Sequence, residues 1–122
     1  MKKKLSNKKD LPVICCLNKR TGEYEICFAP NEIVDELGRK SYEYSAVDLI
    51  GEPSRNNIIN AVIRGIYSQS EEDAIKTHQL EVLNGEISKD IYADEWRKFN
   101  ELREKAKIIA DECAKILDTN NP

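Results

Sequence analysis

"EPSRNNIINAVIRGIYSQSEEDAI", residues Glu52 to Ile75, reads as helix, four-residue turn, helix. On a 3.6-residue wheel Ile58, Ile59, Val62, Ile63 and Ile66 occupy an arc of about 140°, with Asn57 and Arg64 opposite. That stripe predicts a helix over residues 53–67 with one face in a core, and Pro53 suits its first turn. Ser70 then opens a second helix, with Asp73 three residues later as a near match to a capping box. Its apolar side carries Ile75, Val82 and Leu83, His78 flanks that side, and Gly85 is placed to end it.

So short a turn between two helices raises the question of DNA. A helix-turn-helix reader presents the N-terminal residues of its second helix to base edges. Here those residues are Glu71, Glu72 and Asp73. Phosphates repel three carboxylates, whereas a helix N-terminus favours them through the macrodipole. The acids that oppose DNA also explain the helix start, so specific DNA binding is not expected.

Upstream, "LPVICCLN" and "EYEICFAP" are short apolar segments joined by "KRTG", the pattern of a β-hairpin. A two-residue Thr21-Gly22 loop puts Cys16 opposite Cys27, and a three-residue loop puts Cys15 there. The first register segregates the faces better, joining Val13, Cys15 and Leu17 to Tyr24, Ile26 and Phe28. Residues 31–40 read as a connector with one helical turn between Asn31 and Gly38. "SYEYSAVDLI" reads as a third strand, with Tyr42, Tyr44 and Ala46 on one face and Val47 and Leu49 on the other. The parity change near Ala46 marks a bulge or the end of pairing.

Downstream, a helix over about residues 91–117 is about 40 Å long at ~1.5 Å per residue. Tyr92, Phe99, Ala106 and Cys113 are spaced by seven, as are Leu102, Ile109 and Ile116. Together they make a heptad seam whose polar member is Glu95, with Trp96 beside it. Such a seam either covers the rest of the domain or pairs with a second copy. Three heptads inside a compact chain are more often intramolecular. Tyr92, Trp96, Phe99, Leu102, Ala106, Ile109, Cys113 and Ile116 are therefore the candidate interaction residues.

The 122 residues suffice for one domain with a single core. No apolar run approaches the roughly 20 residues of a membrane span. "MKKKLSNKKD" has the charge of a signal peptide but no apolar region after it, so secretion by that route is not expected. Five of 19 basic residues lie in those ten positions beside one acid, leaving 14 basic against 21 acidic side chains elsewhere, a net −7. The lysine run is expected to be a disordered start over residues 1–10, ahead of one domain over 11–118 and a frayed tail over 119–122. An acidic body makes nonspecific DNA binding weak.

No set of residues converges on chemistry. Cys15, Cys16, Cys27 and Cys113 lack the paired spacing of a zinc site, and His78 is the sole histidine. Reduced, metal-free thiols are expected. G-x-S-x-G, P-loop and H-E-x-x-H patterns are absent from the sequence, and paired acids such as Asp111 and Glu112 read as solvated helix faces. Neither catalytic residues nor a cofactor are expected. An enzyme is the least favoured reading.

"IGEPSRNNIINAVIRGIYSQSEEDAI" resembles small proteins encoded among virion genes of Bacteroidetes phages and prophages. Gly51, Glu52 and Pro53 follow a strand, and Asn60, Ala61, Ile63, Arg64, Tyr67 and Ser68 end a helix. The resemblance extends from Tyr42 to Glu112, through "WRKFNELREKAKIIADE". It implies a tail-, baseplate- or fibre-associated structural or assembly role, with virion proteins or the chain itself as partner. The setting implied is the virion or the host cytoplasm, with no membrane contact. The lysine-rich start and the cysteine-containing hairpin depart from that pattern. The expected fold is α+β: a small antiparallel sheet, a hairpin with room for a third strand, followed by three helices with the last one long. The alternative function is a small regulator that binds a host factor or nucleic acid through its basic start.

Overall fold

A computed structural model describes residues 2–120. Four antiparallel strands precede three helices: β1 (Lys2–Ser6), β2 (Ile14–Asn18), β3 (Glu23–Val34), β4 (Lys40–Ile50), α1 (Arg55–Ile66), α2 (Gln69–Leu83) and α3 (Lys89–Asn120). The sheet order is β1-β4-β3-β2, so the two central strands are the long hairpin β3–β4 and the two short strands are the edges. The α+β class, with its long last helix, stands as expected.

The lysine run is not a disordered start. Lys2–Ser6 pairs with β4 in continuous register from Lys2↔Ala46 to Ser6↔Tyr42. Two of the lysines are neutralised: Lys2 by Asp48 at 2.7 Å and Lys4 by Glu25 at 2.5 Å. A strand of lysines also suits an edge, because charge discourages further strand pairing. At the other end α3 continues to Asn120, so the expected fraying does not begin at residue 119; residues 121–122 lie outside those described.

Neither expected hairpin register occurs. Ile14 opposes Ile26, Cys15 opposes Glu25 and Cys16 opposes Tyr24. The cause is a wider turn: Asn18 Oδ1 accepts the N–H groups of Arg20 and Thr21 at 3.0 and 3.3 Å, an Asx turn. Gly22, at φ 71°, closes it, and a register shift between Cys16 and Asn18 makes Leu17 the extra residue. Residues 31–40 hold no helical turn either. β3 runs through to Val34, and the Asp35 carboxylate caps the tip by accepting from the N–H groups of Leu37 and Arg39.

The face assignment of β4 stands, but its parity change has another origin. β4 is unbroken from Lys40 to Ile50 and is buried on both sides. The bulge lies opposite, in β3. Phe28 pairs with Ser45 and Asn31 with Glu43, so Ala29 and Pro30 together face Tyr44. Ala29 takes the left-handed conformation, φ 51°, that such a bulge requires.

One face of the sheet, with Ile14, Ile26, Val47 and Leu49, packs on α1 and α3 through Ile58, Val62, Phe99, Ala106, Ala110 and Cys113. The opposite face holds a smaller cluster of Cys27, Tyr44 and Ala46, against which Leu11 and Tyr42 pack. The β1–β2 crossover lies over this second face. The Tyr44 hydroxyl has the carbonyls of Lys8 and Lys9 both within reach of its single proton, and the Leu11 N–H lies 3.4 Å from the same oxygen.

Candidate interaction surface

The α1–α2 junction is tighter than expected, with only Tyr67 and Ser68 between the helices. Ser68, not Ser70, is the N-cap. Its hydroxyl accepts the Glu71 N–H at 3.1 Å while the Glu71 carboxylate accepts the Ser68 N–H at 3.0 Å, a complete capping box. That bond holds the Glu71 carboxyl below its usual range. Glu72 is buried between Arg64 at 3.7 Å and Lys76 at 3.2 Å, and Asp73 accepts from Gln69. Each of the three acids thus has a partner within the helix pair. Gly85, at φ 76°, ends α2: its N–H bonds Val82 O and the Glu86 N–H bonds Glu81 O, the Schellman pattern.

The predicted seam divides along the length of α3. Phe99, Ala106, Ile109 and Cys113 are buried within the single chain. Leu102 and Ile116 are half-buried against the same core. Toward the N-terminal end Trp96 lies 6.1 Å, ring to ring, from Phe99, whose other neighbour is Tyr67 at 5.5 Å edge-on. One turn further out, Tyr92 stacks on His78 with centroids 4.0 Å apart and planes within 7°. His78 Nδ1 lies 2.8 Å from Glu95 Oε1. A carboxylate only accepts, so the imidazole N–H in that bond is on Nδ1. The polar member of the heptad seam therefore meets the sole histidine, and the pair joins α2 to α3.

What the sequence did not mark is the apolar surface left around the α2–α3 turn. Leu80 and Leu83, one turn apart on α2, are 59% and 79% exposed, and Ile91 in the first turn of α3 is 67% exposed. The α2 residues buried in the fold are Glu72 and Ile75, both in its first half. The sequence places Leu83 on one apolar side with Ile75 and Val82, but of the three only Ile75 is buried. A second apolar feature is a groove of about 640 Å³ between the β3 bulge and α3, lined by Phe28, Pro30, Ile66, Leu102 and Ile108 among others.

Two thiols are buried and two are exposed. Burial pushes Cys113 up to about 12, and burial, then the Glu25 charge, pushes Cys27 up to about 11. Cys15 and Cys16 are exposed on β2. Among the described residues no three His, Cys, Asp or Glu side chains are grouped to hold a metal ion. No helix among them is long and apolar enough to cross a membrane. Comparison of the chain with protein-family models, with curated proteins and with solved structures yields no match.

Proposed function

We propose that the chain is a non-enzymatic structural or assembly protein, acting in a phage virion or its assembly through protein–protein contacts. The observation that supports this reading is the exposed apolar surface of Leu80, Leu83 and Ile91 at the free end of the α2–α3 pair. Large apolar side chains that cluster on a protein surface mark contact sites. The acids Glu81, Glu86 and Asp90 neighbour these residues in the sequence. An apolar centre within a polar rim is the anatomy of a protein interface. The resemblance of residues 42–112 to virion-encoded proteins supplies the setting.

The regulatory alternative loses ground from the fate of the lysines. Lys2 and Lys4 are spent on Asp48 and Glu25, which leaves a smaller cationic arm than the sequence advertises. The test of the leading reading is made on particles. Quantitative mass spectrometry of purified virions, beside particle counts from a deletion of the gene, gives two supporting outcomes. The chain is present at fixed copy number, or it is absent while its deletion stops particle assembly. Absence of the chain from particles together with normal particle yield on its deletion overturns the reading.

A further inference from the structure

The two edges of the sheet are built differently. β1 carries three consecutive lysines, Lys2 to Lys4, the charge that keeps an edge from pairing. β2 reads "ICCLN", has no charged residue, and exposes Cys15, Cys16 and Leu17. The Cys27 N–H bonds Val13 O at 2.9 Å, which makes the Ile14↔Ile26 pair non-hydrogen-bonded and the Cys15↔Glu25 pair hydrogen-bonded. The backbone groups of Ile14 and Cys16 therefore point away from β3, to the open edge.

We propose that β2 is a self-association edge, on which β2 of a second copy pairs antiparallel about Cys15. In this register Ile14 of each chain faces Cys16 of the other, and all the outward N–H and C=O groups of both residues are satisfied. A register centred one residue later would set Ile14 against Asn18, beyond the Leu17 shift, where the ladder is irregular. The ends agree in charge. Asp10 lies before the strand and Lys19 and Arg20 lie after it, so antiparallel pairing sets the acid of one copy beside the bases of the other. Pro12, which has no N–H, and the Leu17 shift limit the pairing to a short segment. The dimer is accordingly weak and concentration-dependent. It is independent of the α2–α3 surface and of the phage setting.

The register makes Cys15 face its own copy in a non-hydrogen-bonded pair, where Cα atoms lie about 4.5 Å apart. That is within the range a disulfide spans. Diamide, the added oxidant, takes up the two electrons and two protons as the two thiols join. Light scattering of the reduced wild-type chain over a concentration series should show mass rising from 14.0 kDa toward twice that value. Diamide should trap the dimer through Cys15–Cys15, located by peptide mapping. Cys15→Ser should keep the mass behaviour and lose the cross-link. Cys15→Lys should stay folded by circular dichroism and remain monomeric, because it sets like charges opposite each other. A wild-type chain monomeric throughout, a Cys15→Lys chain that still dimerises, or a trapped Cys16–Cys16 bridge overturns the proposal.

Discussion

The ammonium of Lys4, on edge strand β1, meets the carboxylate of Glu25, on β3, at 2.5 Å across the intervening strand β4. The bond holds the Glu25 carboxyl below its usual range and the Lys4 ammonium above its own. Cys27 lies beneath, its Sγ 3.6 Å from the same Glu25 oxygen. One ion pair thus pins the first residues of the chain to the middle of the sheet.

Lys4→Met should cost about 1 kcal/mol, since it leaves Glu25, only 12% exposed at its side chain, without its cation while Lys4 itself is half in water. The folded pKa of Glu25 is depressed, so its stabilisation is present above the unfolded value of 4.5 and is lost as pH falls through the folded value. Urea midpoints of wild type and Lys4→Met should differ at about pH 7 and draw together in acid, below the folded value of Glu25. Equal midpoints at both would show the pair to be idle.

The same pair changes how DNA binding is tested. Deleting residues 1–10 removes β1 and bares the edge of β4, so the loss of any activity would report unfolding. Replacing Lys3, Lys8 and Lys9 with Gln removes charge and keeps the strand. We expect no sequence-selective duplex binding at physiological salt by the wild-type chain. A salt-dependent specific complex of the wild-type chain would contradict that, and its loss in the triple change would assign the binding to the lysines.

Much of the helical layer was legible because its periodicity is carried by residue identity. Ile58, Val62 and Ile63 are buried as their spacing requires, and so are Phe99, Ala106 and Cys113. The sheet was less legible for three physical reasons. β1 is a run of lysines whose partners, Asp48 and Glu25, are remote in sequence. The hairpin register was judged by segregating faces, yet β3 and β4 are apolar on both. The decisive groups were Asn18 and Leu17, whose turn and bulge shift every pair. At α2, Ser68-Glu71 and Ser70-Asp73 offer the same spacing, and the longer carboxylate won. Leu83 was misplaced because a wheel assigns apolar residues to a core by default, and Leu80 and Ile91 fell outside the stripes it drew.

The capping assignment is directly testable. Ser68→Ala should cost about 1 kcal/mol by leaving the Glu71 N–H without its acceptor. Ser70→Ala, two residues past the cap and exposed, should cost nothing measurable. Chemical denaturation of the two variants decides between the observed cap and the one read from the sequence. The reverse ranking would place the helix start at Ser70.

The thiols should fall into two classes. A chromogenic disulfide reagent should titrate Cys15 and Cys16 in the native chain and reach Cys27 and Cys113 only after denaturation. The pH dependence follows with a defined sign. Both buried thiols have folded values above the ordinary 9.0, about 11 for Cys27 and about 12 for Cys113. Their stabilisation is complete below pH 9 and is lost as pH rises toward those folded values, because the unfolded chain ionises first. Cys113→Ala should flatten the alkaline decline of the melting temperature. Four thiols titrating at one rate in the native chain would contradict the burial.

The last prediction separates the two roles of the helical layer. Ile109 packs within the core of the single chain, so Ile109→Asp buries an unpaired carboxylate at a cost of several kcal/mol. The variant should unfold, with loss of helical circular dichroism. Leu83 is on the same side of the sequence pattern as a core residue but is solvated, so Leu83→Asp should leave the fold intact. If the α2–α3 surface serves contacts, Leu83→Asp should weaken them while the β2-mediated dimer persists. A folded Ile109→Asp chain with reduced mass would mean that the heptad seam is a contact between copies.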